Sequence, residues 1–197
     1  MTTKTKHHHG DLKNALVKAG LALLDEEGLE GLSLRKCAAK AGVSHAAPAH
    51  HFGNLAGLKG AIGFEVFTIF SKYMQDAAAR EGDSDIARLK GICRGYVQFG
   101  IDHKSWLDVM FGIAPAEIAK LRGDLGDSNS YQVLRQACAP FVPEGVEPHI
   151  VEFQVWSLIH GYTQLFLSGR LNQGEVTQID DGPFDQVMAL LDRLAPS

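Results

Sequence analysis

The chain has 197 residues, of which 45% are hydrophobic, and a net charge of −4. That suits a globular protein with a sizeable core and argues against a uniformly basic nucleic-acid binder. No run of about 18 apolar residues occurs, so no membrane span is expected. The polar start MTTKTKHHHGDLK lacks an apolar h-region, so no secretory signal is expected and a cytoplasmic location is the default. Cys37, Cys93 and Cys138 are odd in number, far apart and outside any C-x-x-C. They predict buried, reduced thiols rather than a disulfide framework or a zinc module.

Taken in order, residues 2–9 read as a polar, basic tail from which Lys4 and Lys6 can reach a phosphate or a minor groove. A helix follows over 11–27, capped by Asp11, with Leu12, Ala15, Leu16, Ala19, Ala22 and Leu23 as its apolar stripe and Gly28 as its stop. Residues 32–52, LSLRKCAAKAGVSHAAPAHHF, predict two short helices joined by a tight turn. Leu34, Cys37, Ala38 and Ala41 recur at i, i+3, i+4 and i+7, and Ser33 can cap that helix. Gly42 can take the left-handed conformation that ends it. Ser44 is positioned to cap the next helix, over 45–51, and Gly53 and Asn54 break the chain after Phe52. Helix, glycine turn, helix is the helix-turn-helix pattern, whose second helix enters the DNA major groove.

The remainder predicts further helices. A long one spans 57–79 and is apolar on more than one face. Others span 85–102, with Gly91, Gly95 and Gly100 inside it, then 105–112, 116–122 and 129–141. The most apolar covers 147–168, and an amphipathic one covers 183–194 beyond a polar loop, NQGEVTQIDDG. The expected fold class is all-α, with a DNA-binding head over 1–55 and a helical effector-binding and dimerisation body over 56–197. Charge divides the same way. Residues 1–60 hold eight Lys and Arg against five Asp and Glu, and the rest hold eleven against eighteen. A modestly basic head on an acidic body suits a protein that offers one end to phosphates.

Residues 9–62 resemble the DNA-binding segment of TetR-family transcriptional regulators. The resemblance rests on His9-Gly10-Asp11-Leu12, Glu27-Gly28, Ser33-Leu34-Arg35, Ala41-Gly42-Val43-Ser44 and His51-Phe52, in that order and spacing. A shorter motif, Trp156 followed by His160-Gly161, resembles one C-terminal branch of that family. The resemblance implies that His45, Ala46, Ala47 and Ala49 face bases. Ser33, Arg35, Lys36, His50 and His51 are candidates for phosphate contact, and Ser44 at the turn belongs to the same DNA-binding set. It implies a homodimer through the last two helices, a double-stranded palindromic operator and release by a small, mostly apolar effector.

Three residues depart from the family pattern. Ala49 stands where a phosphate-touching Tyr is usual, Leu55 where a basic residue is usual, and Pro48 lies in the first turn of the recognition helix. They motivate an alternative, a dimeric helical small-molecule-binding protein with weakened or lost DNA binding. Imidazoles gain charge as pH falls, so His50 and His51 can compensate for the missing phosphate contacts at lower pH.

Tyr96, Phe99, Trp106, Met110, Phe111, Phe153, Trp156 and His160 are candidates for an apolar effector cavity. Plain core packing is the alternative for each. No H-E-x-x-H, G-x-S-x-G or P-loop occurs, so neither catalysis nor a cofactor or metal is expected.

Overall fold

The computed structural model describes residues 7–112, 130–171, 178–181 and 183–194. Every regular element among them is helical: α1 (His7–Glu27), α2 (Leu34–Lys40), α3 (Ala47–Phe52), α4 (Leu55–Glu81), α5 (Asp85–Asp102), α6 (Lys104–Gly112), α7 (Ser130–Cys138), α8 (Pro148–Leu167) and α9 (Phe184–Met188). Short 3-10 turns occupy Leu29–Gly31, Ala139–Phe141, Ile179–Asp181 and Ala189–Leu194.

Local chemistry explains most boundaries. Ser33 caps α2 by accepting the Lys36 backbone N–H at 3.2 Å. Gly42 takes φ 68°, and Val43 N–H returns to the Ala38 carbonyl at 3.0 Å, which closes the turn after α2. Asn54 Oδ1 accepts the Gly57 N–H at 3.0 Å, so α4 opens at Leu55, two residues before the expected start. Ser84 caps α5, whose bounds match the expected 85–102.

Other boundaries differ from expectation. α1 begins at His7, so Asp11 is inside the helix rather than its cap, and His7 to His9 belong to the helix rather than to a tail. α3 begins at Ala47 with Ala46 as its cap residue, so Ser44 is not a side-chain cap and His45 precedes the helix. Proline accounts for this shift. A helix begun at His45 would set the Pro48 ring against the Ser44 carbonyl and require an N–H that proline lacks. Likewise Pro140 ends α7 at Cys138 and leaves a 3-10 turn where a helix to 141 was expected. The expected helix over 183–194 is α9 followed by a 3-10 turn, a tightening that nothing in the structure explains. The expected helix over 116–122, and Lys4 and Lys6, lie outside the described residues.

Two compact units emerge, and α4 is continuous through both. The first holds the chain up to Val66 and α6 from Ser105. Its core contains Leu16, Leu24, Cys37, Ala38, Leu58 and Ile62, each fully buried. α1 packs on α2 and α3. The second unit holds Phe67–Lys104 with α7, α8, α9 and their turns. There α5 packs against α7, α8 and the Ile179–Asp181 turn, burying Leu89, Val97 and Phe99 completely. Each such side chain contributes about 1.5–3 kcal/mol through burial.

Gly91 and Gly95 set how closely α5 approaches α4. A Cβ on Gly91 would lie 2.5 Å from Ala78 Cα, and one on Gly95 would lie 2.4 Å from the Tyr73 carbonyl oxygen. Both obstacles are backbone and cannot rotate away. Gly95→Ala gains about 1 kcal/mol of helix propensity but incurs overpacking of about 1–3 kcal/mol or more. The backbone clash places the cost at the upper end. Gly95→Ala is therefore expected to lower Tm by several degrees. Gly60→Ala, where the added Cβ meets nothing within 4 Å, should leave Tm unchanged or raise it. Calorimetry of the two variants checks this.

Candidate nucleic-acid interface

In the first unit, α2, the Gly42 turn and α3 form the anticipated helix pair, and α2 packs directly on α3. Ser44, His45, Ala46, Ala49 and His50 are exposed, Ala47 and His51 are half-buried, and Pro48 is buried. The four anticipated base-facing residues, His45, Ala46, Ala47 and Ala49, thus lie together around the start of α3, with Ser44 just before them. The His50 and His51 rings sit 5.5 Å apart at the helix end.

The anticipated phosphate-facing residues fare differently from one another. The Ser33 hydroxyl is committed to capping α2. Arg35 is exposed and makes no ion pair among the described residues. Lys36 Nζ is ion-paired with Glu27, and one turn on, Lys40 Nζ reaches both Glu26 carboxylate oxygens at 2.7 Å. Acidic residues closing α1 therefore mask two of the cations on α2. Such surface pairs hold by about 1 kcal/mol or less, so a phosphate can displace the carboxylate.

Among the anticipated effector residues of the second unit, Tyr96, Trp156 and His160 come together. The Tyr96 hydroxyl lies 2.9 Å from His160 Nδ1. Burial pushes the Tyr96 phenol well above its usual range, against an opposing hydrogen bond from Trp156. Burial also holds the His160 imidazole below its ordinary pKa. Both directions keep the phenol and the imidazole neutral, and the imidazole tautomer sets which of the two donates. Phe153 packs on Trp156 at 6.4 Å between centroids but is half exposed. Phe99 is fully buried between Phe70, Tyr73 and His103. Trp106 and Met110 are buried in the first unit, where Phe111 is exposed. A cleft of about 400 Å³ in the second unit is lined by Tyr73, Asp76, Arg80, Arg94, Gln98 and Asp102, and by none of the eight anticipated effector residues. All three cysteines are buried and free. Burial pushes the Cys138 thiol up to about 12, which leaves little nucleophilic thiolate.

Two clusters went unrecognised in the sequence. Glu152 is only 2% exposed, accepts the Tyr131 hydroxyl and lies 3.8 Å from Arg135 Nε. Its signal was a lone carboxylate within a long apolar stretch. Arg94 pairs with Glu81 at 2.6 Å, Asp185 at 2.9 Å and Asp180 at 3.2 Å, and stacks 4.6 Å over Phe184. Its partners are far away in sequence, and no local spacing announces them.

The His160 environment generates a pH dependence. With its folded pKa depressed, the unfolded chain binds more protons below about pH 6.5. Stability contributed by neutral His160 is complete above that pH and is lost as pH falls toward the folded pKa. Urea unfolding between pH 7.5 and 5 should show declining stability, with a shallower decline in His160→Gln. Equal slopes would refute the assignment.

The profile of bacterial regulatory proteins of the tetR family matches residues 16–62. That of the tetracyclin repressor-like C-terminal domain matches residues 89–191, which include the Trp156 to Gly161 motif. No curated protein matches the sequence. Among solved structures, a Rhodococcus sp. RHA1 protein of unknown function is 27% identical over 97% of each chain, with a TM-score of 0.73. A TetR family transcription regulator from Marinobacter aquaeolei VT8 is 15% identical over 96% of this chain and 98% of that one, with a TM-score of 0.67. A TetR/AcrR family regulator from Thermobifida fusca YX-ER1 is 14% identical over 92% and 96%, with a TM-score of 0.65. These last two likenesses concern the fold. With helix-turn-helix and C-terminal domains both matched in order, the chain belongs to the TetR family of DNA-binding transcription regulators.

Proposed function

We propose that this regulator is a homodimeric, effector-released repressor. The observation that carries the dimer is the outer face of α8. Ile150, Phe153 and Leu165 are 43–49% exposed there, on a helix whose other side is buried, and Leu190 beyond α9 is equally exposed. Ser157 and Gly161 lie between them on that face, and a Cβ on Gly161 would meet nothing. An exposed apolar face of this kind suits association, and a two-fold axis would pair the patch with itself. Paired recognition helices would then lie roughly 34–36 Å apart and read a palindromic operator.

The Tyr96, Trp156 and His160 group supports effector binding. Small-molecule sites set a few oriented polar groups in apolar surroundings. A small, mostly apolar effector would bias α4, whose residues belong to both units, toward a geometry with lower DNA affinity. It must favour that state by about 1–3 kcal/mol to act as a switch. A second reading, a dimeric small-molecule-binding protein with weakened DNA binding, is favoured by Ala49, Leu55 and the Lys36–Glu27 pair.

Fluorescence anisotropy with DNA from upstream of the gene, against scrambled DNA, separates the two. The repressor reading expects preference for the upstream fragment, weakening with salt. Phe153→Glu should shift the protein from dimer to monomer in sedimentation and abolish that preference. A dimer that persists would count against the α8 interface. Glu27→Gln frees Lys36 for phosphate. It should tighten binding up to about fivefold at low salt and steepen the salt dependence.

A further inference from the structure

The base-facing surface is chemically unusual. Ala46, Ala49 and His50 are exposed and spaced i, i+3 and i+4, so they share one face, with His45 exposed just before them. From Ala41 to Asn54 the sequence contains no Arg, Lys or Gln. Its single Asn, Asn54, is occupied in capping α4. Bidentate readout of guanine uses Arg or Lys, and bidentate readout of adenine uses Asn or Gln. Neither is possible from residues 41–54. A methyl side chain offers one discriminating contact in the major groove, the thymine C5-methyl group.

We infer that this protein reads its operator chiefly through apolar contact between the Ala46 and Ala49 methyls and thymine methyl groups. Each half-site then carries A·T pairs opposite those residues. The inference rests on the DNA-binding reading above and specifies its ligand. Methyl contacts discriminate less than bidentate hydrogen bonds, so the remaining selectivity comes from groove shape and from His45 and His50. Low discrimination per base pair is part of the expectation.

The test begins with selection of duplexes from a randomised pool by the full-length protein. Thymines in the selected half-sites are then replaced one at a time by deoxyuridine, which deletes the methyl and keeps every hydrogen-bonding group. Replacement opposite Ala46 or Ala49 should weaken binding roughly three- to fivefold per methyl. In Ala46→Gly, replacement of the thymine opposite residue 46 should have no further effect. Glycine is well tolerated at a cap position, and circular dichroism verifies that the variant folds. Half-sites centred on G·C pairs, or binding indifferent to deoxyuridine, would overturn this inference and leave the regulator reading intact. Failure to enrich any duplex would overturn both.

Discussion

The crossing of α4 and α5 is the constraint on which the second unit depends. Gly91 and Gly95 remove the side chains that would hold the two backbones apart, and atoms of Tyr73, Ala77 and Ala78 occupy the space so vacated. With α5 seated this closely, Phe70 meets both Tyr96 and Phe99 at 4.9 Å between centroids. The same seating brings Arg94 to Glu81 on α4, and Arg94 in turn reaches Asp180 and Asp185. One small-residue contact thus fixes an aromatic stack on one side and a charged clamp on the other. The two glycines lose helix propensity, at about 1 kcal/mol each, in exchange for that geometry.

Electrostatics in the head follow from how few cations remain available. Lys36 and Lys40 are both engaged by the carboxylates that close α1, so Arg35 is the cation on α2 without such a partner among the described residues. Phosphate contacts supply much of the affinity of a DNA-binding protein, and base contacts supply specificity. Here the first is restrained by internal pairing and, on the methyl readout proposed above, the second by alanines. A weakly charged, methyl-lined surface favours selectivity by fit over strength of attraction.

A polar seam runs along the inner side of α8. Glu152, Trp156 and His160 recur at i, i+4 and i+8, and each has a partner on another element: Tyr131 for Glu152, and Tyr96 for Trp156 and His160. A buried polar group without a partner costs about 1–3 kcal/mol, so such a seam also fixes the register of α8 against α5 and α7. Its carboxylate is buried and its imidazole half-buried.

Periodicity, caps and glycine made the architecture legible in the sequence. The Ser33 cap, the Gly42 turn, the 85–102 helix and the all-helical class all follow from interactions within a few residues, and such interactions survive without knowledge of the rest of the fold. The glycines of α5 already suggested close packing against another helix or a ligand, which the approach of Gly91 and Gly95 to α4 bears out, whereas the purpose of the outlier Glu152 was not legible. Local reading failed at the start of α3, where Ser44 offered a plausible cap but Pro48 forbade the helix it would have capped. It failed again for Glu27 and Lys36, nine residues apart, and for Arg94 and Asp185, separated by more than ninety. The sequence by itself determined which segments are helices and that two of them form a DNA-reading pair, because those properties depend on near neighbours. Only the tertiary structure decided which lysines keep their charge available, which aromatics are core and which are surface, and where the His160 imidazole finds its phenol. Those outcomes depend on which helix faces meet, and that is a property of the whole chain.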